Sequence, residues 1–137
     1  MYDHIAVAVD GSDCALRAAE QARGLAVLKP GIQVDLVYVV SVEQEMDALH
    51  APEVFQEVQT GSIAYPAMTL FEKVEARVRA VRLYGRPADA LVAYAAENQV
   101  DLIVMGTRGM RGLQKLRLGS VSERVLKLAA CPVMVVK

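Results

Sequence analysis

Apolar and polar positions along this chain fall into two kinds of block, and the blocks alternate. Residues 4–9, HIAVAV, form an apolar, largely β-branched run that Asp10-Gly11-Ser12 stops. A run of that length bounded by turn residues is a short buried strand. Ser12 is placed to cap a helix, and Leu16, Ala19, Ala22, Leu25 and Ala26 recur at helical spacing until Pro30-Gly31. Residues 33–40, QVDLVYVV, make a second strand. Residues 76–84, ARVRAVRLY, alternate with a period of two and end at Gly85, which predicts a third. Pro87 suits the first position of a helix, and Ala88, Leu91, Val92 and Ala95 line one face of it to about Asn98. Residues 101–105, DLIVM, predict a fourth strand. Gly119-Ser120 opens a last helix with Val121, Val125, Leu128 and Ala129 inward, and residues 132–136, PVMVV, predict a final strand. The stretch 41–75 is less regular. One or two helices with a mobile joint are expected there, with Pro52, Gly61 and Pro66 breaking the pattern.

Strands that alternate with helices build a parallel sheet covered on both faces. The 137 residues suffice for one such domain with its own core, and no internal repeat divides them. Apolar residues make up 54% of the chain but aromatics only 5%, so Val, Leu and Ala must do the packing. In an open parallel sheet, ligands sit at the carboxyl ends of the strands, where the strand order reverses. Asp10, Val39 and Gly106 each fall at such an end.

Charge sharpens this picture. Residues 1–101 carry 8 basic and 15 acidic side chains, a balance of -7. Residues 102–137 carry 7 basic side chains and only Glu123, a balance of +6. The basic third contains Gly106-Thr107-Arg108-Gly109, nine further residues, then Gly119-Ser120. Glycines let a backbone approach a ligand closely, and successive N–H groups in such a turn form an anion nest. The helix that starts at Ser120 offers N–H groups without intrahelical partners, and its dipole favours negative charge. Ser120 and Ser122 can add hydroxyl donors, and Arg108, Arg111, Lys115 and Arg117 add positive charge. The segment is neither a Walker A loop nor a Gly-x-Gly-x-x-Gly fingerprint. On these grounds phosphate binding and a plain solvated turn both stay open.

The spacing Gly-x2-Gly-x9-Gly-Ser resembles the ATP-binding signature of the universal stress protein (UspA-like) family. HIAVAVDGSDCALRAAEQA, VDLVYVV, YGRPADALVAYAAENQVDLIVMGTRG and LGSVSERVLKLAACPVMVVK resemble that family's successive blocks, in its order, over most of the chain. The resemblance implies an α/β, Rossmann-like (adenine nucleotide alpha hydrolase-like) single domain over 1–137, with five parallel strands in the order 3-2-1-4-5. It implies that Ala8 and Val9 at the first strand end, and Val39 at the second, contact the adenosine side of ATP, and that Asp10 contacts the adenosine or the metal end of the nucleotide. Met105, Gly106, Arg108, Gly109, Gly119, Ser120, Val121 and Ser122 would surround ribose and phosphates. Mg2+ or Mn2+ would arrive with the phosphates rather than on a protein ligand set. Pro132 to Val136 would form the edge of a homodimer, and the function implied is nucleotide-dependent regulation in stress response. Two departures stand out: a short, broken 41–75, and a loop with an extra Gly112 and a strongly basic run.

Other chemistry is sparse. No residue beside the phosphates reads as a general base, so a holder of ATP is favoured over a slow ATPase or autophosphorylating enzyme. Thr107, Ser120 and Ser122 remain conceivable phosphoacceptors, and a nucleotide-free dimerisation module remains an alternative. Cys14 and Cys131 have no metal or redox spacing and read as buried thiols. His4 and His50 lack metal-ligand spacing, and Glu97 and Asp101 read as solvated surface. Few aromatics and an acidic remainder argue against nucleic acid. No apolar run reaches membrane-spanning length and MYDHIAVAVDGS lacks signal-peptide features, so a cytoplasmic protein is expected.

Overall fold

The computed structural model describes residues 2–41, 63–107 and 118–137. Strand β1 (His4–Ala8) leads to helix α1 (Asp13–Val27) and strand β2 (Ile32–Val40). Helix α2 is described over 63–69. Then follow β3 (Ala76–Tyr84), α3 (Pro87–Glu97), β4 (Leu102–Gly106), α4 (Ser120–Leu128) and β5 (Val133–Val136). The five strands form one sheet in the order β3-β2-β1-β4-β5, and every pairing is parallel.

The central strands are almost wholly apolar because helices cover both of their faces. On one face, Ala18 and Ala22 of α1, Ala67 of α2 and Phe71 in the turn after α2 pack onto Ile5, Val7, Val34 and Leu36. On the other, Ala88, Leu91 and Ala95 of α3 and Val125 of α4 cover Ala6, Val37, Ile103 and Met105. The buried side of α1 is made of Cys14, Ala15, Ala18, Ala19, Ala22 and Ala26. Side chains that small let the helix lie close on the sheet. The chain enters α1 through Ser12, whose hydroxyl accepts from the N–H of Ala15 at 3.1 Å.

The fold expectation holds in topology and strand order. Differences are at the ends. β1 stops at Ala8, yet buried Val9 continues the ladder with its N–H on the carbonyl of Val37 at 2.9 Å. β2 starts one residue earlier, at Ile32, and β4 runs from Leu102 to Gly106. Pro66 does not break a helix but lies inside α2, where Thr69 donates its hydroxyl to the Pro66 carbonyl at 2.7 Å. The expected joint and the proline and glycine at 52 and 61 lie outside the described residues. No helix among the described residues is long and apolar enough to cross a membrane.

A charged cluster pins the amino-terminal half of the sheet. Asp35 sits in the middle of β2, 0% exposed. Its carboxylate accepts from Arg79 Nε at 2.8 Å, from the Tyr94 hydroxyl at 2.6 Å and from Gln33 Nε2 at 3.2 Å, and His4 Nε2 lies 2.6 Å away. Burial alone would raise the Asp35 pKa; the bonds from Arg79, Tyr94, His4 and Gln33 outweigh it and hold the carboxyl at about 2. Burial, reinforced by the carboxylate of Asp35, pushes the Tyr94 phenol up to about 12. His4 opens β1, joins it to β2 and, through Nδ1 3.2 Å from the Asn98 carbonyl, to the end of α3. Asp101 is not mere solvated surface. Its carboxylate accepts the N–H groups of Asp3 at 2.8 Å and His4 at 3.2 Å, closing the start of β1 against β4.

Candidate functional site

The winding of the sheet reverses between β1 and β4. From β1 the chain crosses over the α1 face to β2; from β3 it returns over the α3 face to β4 on the far side of β1. Where winding reverses, crossover segments diverge and leave a crevice at the carboxyl ends of the two strands. Asp10 and Thr107 flank this crevice as the first residues beyond Val9 and Gly106.

On the β1 side, Asp10 Oδ1 accepts the Ser12 N–H at 2.9 Å and the Ser12 hydroxyl at 2.5 Å. Gly11 makes the turn possible with φ +86°, a conformation that costs a side-chain-bearing residue energy. Asp10 thus shapes the entry to α1, and Oδ2 makes no bond among the described residues. Ala8 and Val39 are half-buried at the ends of β1 and β2, while Val9 is buried.

On the β4 side, Met105 is buried in the core and Gly106 ends the strand. A side chain on Gly106 would meet Cys14 of α1: an added Cβ would lie 2.6 Å from Sγ and 2.9 Å from the Cys14 carbonyl carbon. Close helix–sheet packing therefore demands this glycine, whatever else binds nearby. The Cys14 thiol is more than buried filler. It donates to the Val136 carbonyl at 3.1 Å and accepts the Thr107 N–H at 3.2 Å. Thr107 N–H also reaches the Val136 carbonyl at 2.9 Å, and the Thr107 carbonyl accepts Gly119 N–H at 2.6 Å. The two ends of the glycine-rich segment are thereby clamped together and tied to β5.

Gly119 is the N-cap of α4, and no side chain among the described residues caps that helix. Glu123 is the first residue whose N–H bonds back into the helix, to Gly119. The N–H groups of Ser120, Val121 and Ser122 thus form an uncapped positive helix end in the crevice. Ser120 is exposed and Val121 half-buried. Ser122 is only 3% exposed, and its hydroxyl donates to the Gly106 carbonyl at 2.8 Å. That donor is spent inside the fold, which leaves Ser122 its backbone N–H for a ligand. Arg108 and Gly109, with the basic run through 117 and Gly112, lie outside the described residues. Sequence reasoning had no signal for the Cys14 and Ser122 contacts, since both depend on which elements pack together.

The family model for the universal stress protein family matches residues 1–137. The chain belongs to the universal stress protein family. It is 37% identical to the universal stress protein MJ0531 of Methanocaldococcus jannaschii over 142 residues, covering all of this chain and 83% of that one. It is 31% identical to universal stress protein YxiE of Bacillus subtilis, with both chains covered fully. Among solved structures, the protein MJ0577 superposes with a TM-score of 0.81 at 27% identity, covering 100% of this chain and 96% of that one. A universal stress protein solved in complex with cAMP has a TM-score of 0.71 at 25% identity, covering 98% and 96%. The Rossmann-like fold and the sheet order are thus those of the family.

Proposed function

We propose that this universal stress protein binds ATP in the crevice between β1 and β4 and acts as a nucleotide-dependent regulatory homodimer in stress response. The observation that carries the proposal is the amino end of α4, which no side chain among the described residues caps and which Gly119 and Thr107 clamp to the end of β4. Three N–H groups at a helix start, without partners among the described residues, suit a phosphate by both hydrogen bonding and dipole. In this reading the N–H groups of Ser120, Val121 and Ser122 take the phosphates, together with Arg108 and Gly109. Ala8, Val9, Asp10 and Val39 meet the adenosine, with Met105 and Gly106 as the floor beside it. Mg2+ or Mn2+ enters bound to the phosphate oxygens. The relative solved with cAMP supports an adenine nucleotide as ligand.

The half-buried strand β5 ends the sheet on its other side and supplies the dimer edge. Ile103 N–H bonds to the Pro132 carbonyl and Thr107 N–H to that of Val136. In a parallel ladder this turns the backbone polar groups of Val133 and Val135 away from β4, free to pair with a second copy.

The test is direct. Nucleotide released from the denatured purified protein is identified, and ATP, AMP and cAMP are titrated calorimetrically with Mg2+ or Mn2+. ATP is expected to bind tightest, and Gly119→Val to weaken it at least about tenfold by crowding the phosphate position. Tighter binding of cAMP than of ATP, or undiminished ATP binding by Gly119→Val, would sink the assignment.

A further inference from the structure

The opposite edge of the sheet has a different character. β3 is its outermost strand and pairs with β2 alone among the described residues. Gly31 N–H bonds to the Glu75 carbonyl and Gly85 N–H to that of Val40. This phase of the ladder turns odd-numbered residues of β3 toward β2, so the N–H and C=O groups of Val78, Ala80 and Arg82 face outward. Residues 76–86 carry Arg77, Arg79, Arg82 and Arg86 and no acidic side chain. Arg79 is committed to Asp35, and among the described residues Arg82 reaches only the Tyr84 hydroxyl, at 3.3 Å. Arg77 and Arg86 make no ion pair among the described residues.

A groove of about 330 Å³ lies against this edge, lined by Leu36, Tyr38, Ala64, Ala80, Arg82 and Tyr84. Val81 borders it too, although its side chain belongs to the opposite face of the strand. A groove bordered by three successive residues of one strand wraps its outer edge and reaches the backbone there. Ala80 is exposed between the half-buried Val78 and Arg82, so a small side chain leaves the space open.

We propose that the β3 edge is a docking surface for an extended acidic segment of a partner protein. The segment adds as a sixth strand along Val78, Ala80 and Arg82 and sets carboxylates against Arg77, Arg82 and Arg86. One of its apolar side chains enters the groove over Ala80. Main-chain pairing supplies affinity and the arginines supply selection by charge. A second copy of this chain is a poor occupant, because two such edges would bring four guanidinium groups against four. Single-stranded nucleic acid matches the charge but not the outward row of backbone donors and acceptors. The inference does not rest on nucleotide binding.

The probe is a fluorescein-labelled peptide, Glu-Glu-Val-Phe-Val-Glu-Glu, which presents carboxylates on both faces of a strand; it is titrated with the full chain and followed by anisotropy. Saturable binding is expected, with none for the same peptide carrying Lys in place of Glu. Ala80→Pro removes an outward donor without touching the β2 ladder, and Ala80→Trp fills the groove. Each is expected to weaken the peptide at least about tenfold while the thermal transition stays within a few degrees of the parent. Three results overturn the proposal: no binding of the acidic peptide, equal binding by both Ala80 variants, or displacement of the peptide by oligothymidylate at lower concentration than by unlabelled peptide. Self-association of the parent that Ala80→Pro abolishes would overturn it as well, by assigning the edge to a second copy.

Discussion

A Cβ atom on Gly106 would come within 2.6 Å of the Sγ of Cys14, so the last residue of β4 and the first turn of α1 share space that admits one side chain. Gly106→Ala is expected to destabilise the ligand-free protein by about 1–3 kcal/mol, the usual cost of overpacking. Cys14→Ala in the same chain should recover part of that loss but not all, since the Cys14 backbone carbon also stands 2.9 Å from the new methyl. Denaturant unfolding of the two single variants and the double variant closes the cycle. Additive losses with no recovery would show that the two positions do not compete for space.

Ser122 carries its hydroxyl into the fold, toward the Gly106 carbonyl at 2.8 Å. Ser122→Ala leaves that bond unmade at a buried position and should lower stability by about 1–2 kcal/mol. Equilibrium unfolding in urea measures it. A solvent-facing serine would show almost no change.

The Asp35 cluster makes stability depend on acid. Asp35 is held at about 2 in the folded chain against an ordinary 3.8. A depressed carboxyl stabilises the fold above its unfolded value and loses that contribution as pH falls through the folded one. About 2 kcal/mol should therefore disappear between pH 5 and roughly pH 2. Asp35→Asn should cost about 2–4 kcal/mol at neutral pH, because Arg79, Tyr94 and His4 lose the negative charge and one of the two oxygens they share. The gap between parent and variant should close as pH is lowered through this window. Urea titrations at successive pH values test it, and a constant gap would contradict the linkage. At the alkaline end the sign reverses. Tyr94 is raised from 10.0 to about 12, so stability should fall as pH climbs between those values, and Tyr94→Phe should remove that slope.

Val135 turns its backbone outward from β5, at the edge proposed for the dimer. Val135→Pro removes an outward N–H while sparing the bonds from β5 to β4. Sedimentation velocity is expected to show a dimer for the parent and a monomer for the variant, with an unchanged far-ultraviolet spectrum. A variant that still sediments as a dimer would move the interface off β5.

Much of this architecture is written locally. Val, Ile and Leu in short apolar runs mark β1, β2 and β4 as buried strands, and the alternation of ARVRAVRLY marks β3 as a strand. Alanines at helical spacing mark α1, and the turn residues between blocks place Asp10, Val39 and Gly106 at strand ends. These signals are legible because secondary structure repeats over a few residues, and side-chain polarity follows that repeat. They also leave the family's order of blocks readable from one end of the chain to the other.

Contacts between elements are another matter. Nothing in IQVDLVYVV distinguishes the aspartate as the centre of a four-donor cluster, because three of the four partners come from β1, β3 and α3. Nothing near Gly106 announces Cys14, which lies 93 positions from the threonine it holds. The glycine-rich segment reads from sequence as a set of donors, yet the fold spends the Ser122 hydroxyl internally, and no side chain among the described residues caps α4. The physical reason is common to all three. A periodic pattern says which face of an element is buried, but the partner of each buried polar atom depends on the order and spacing of strands across the sheet. Only closure of β1 between β2 and β4 brings those atoms within hydrogen-bonding distance.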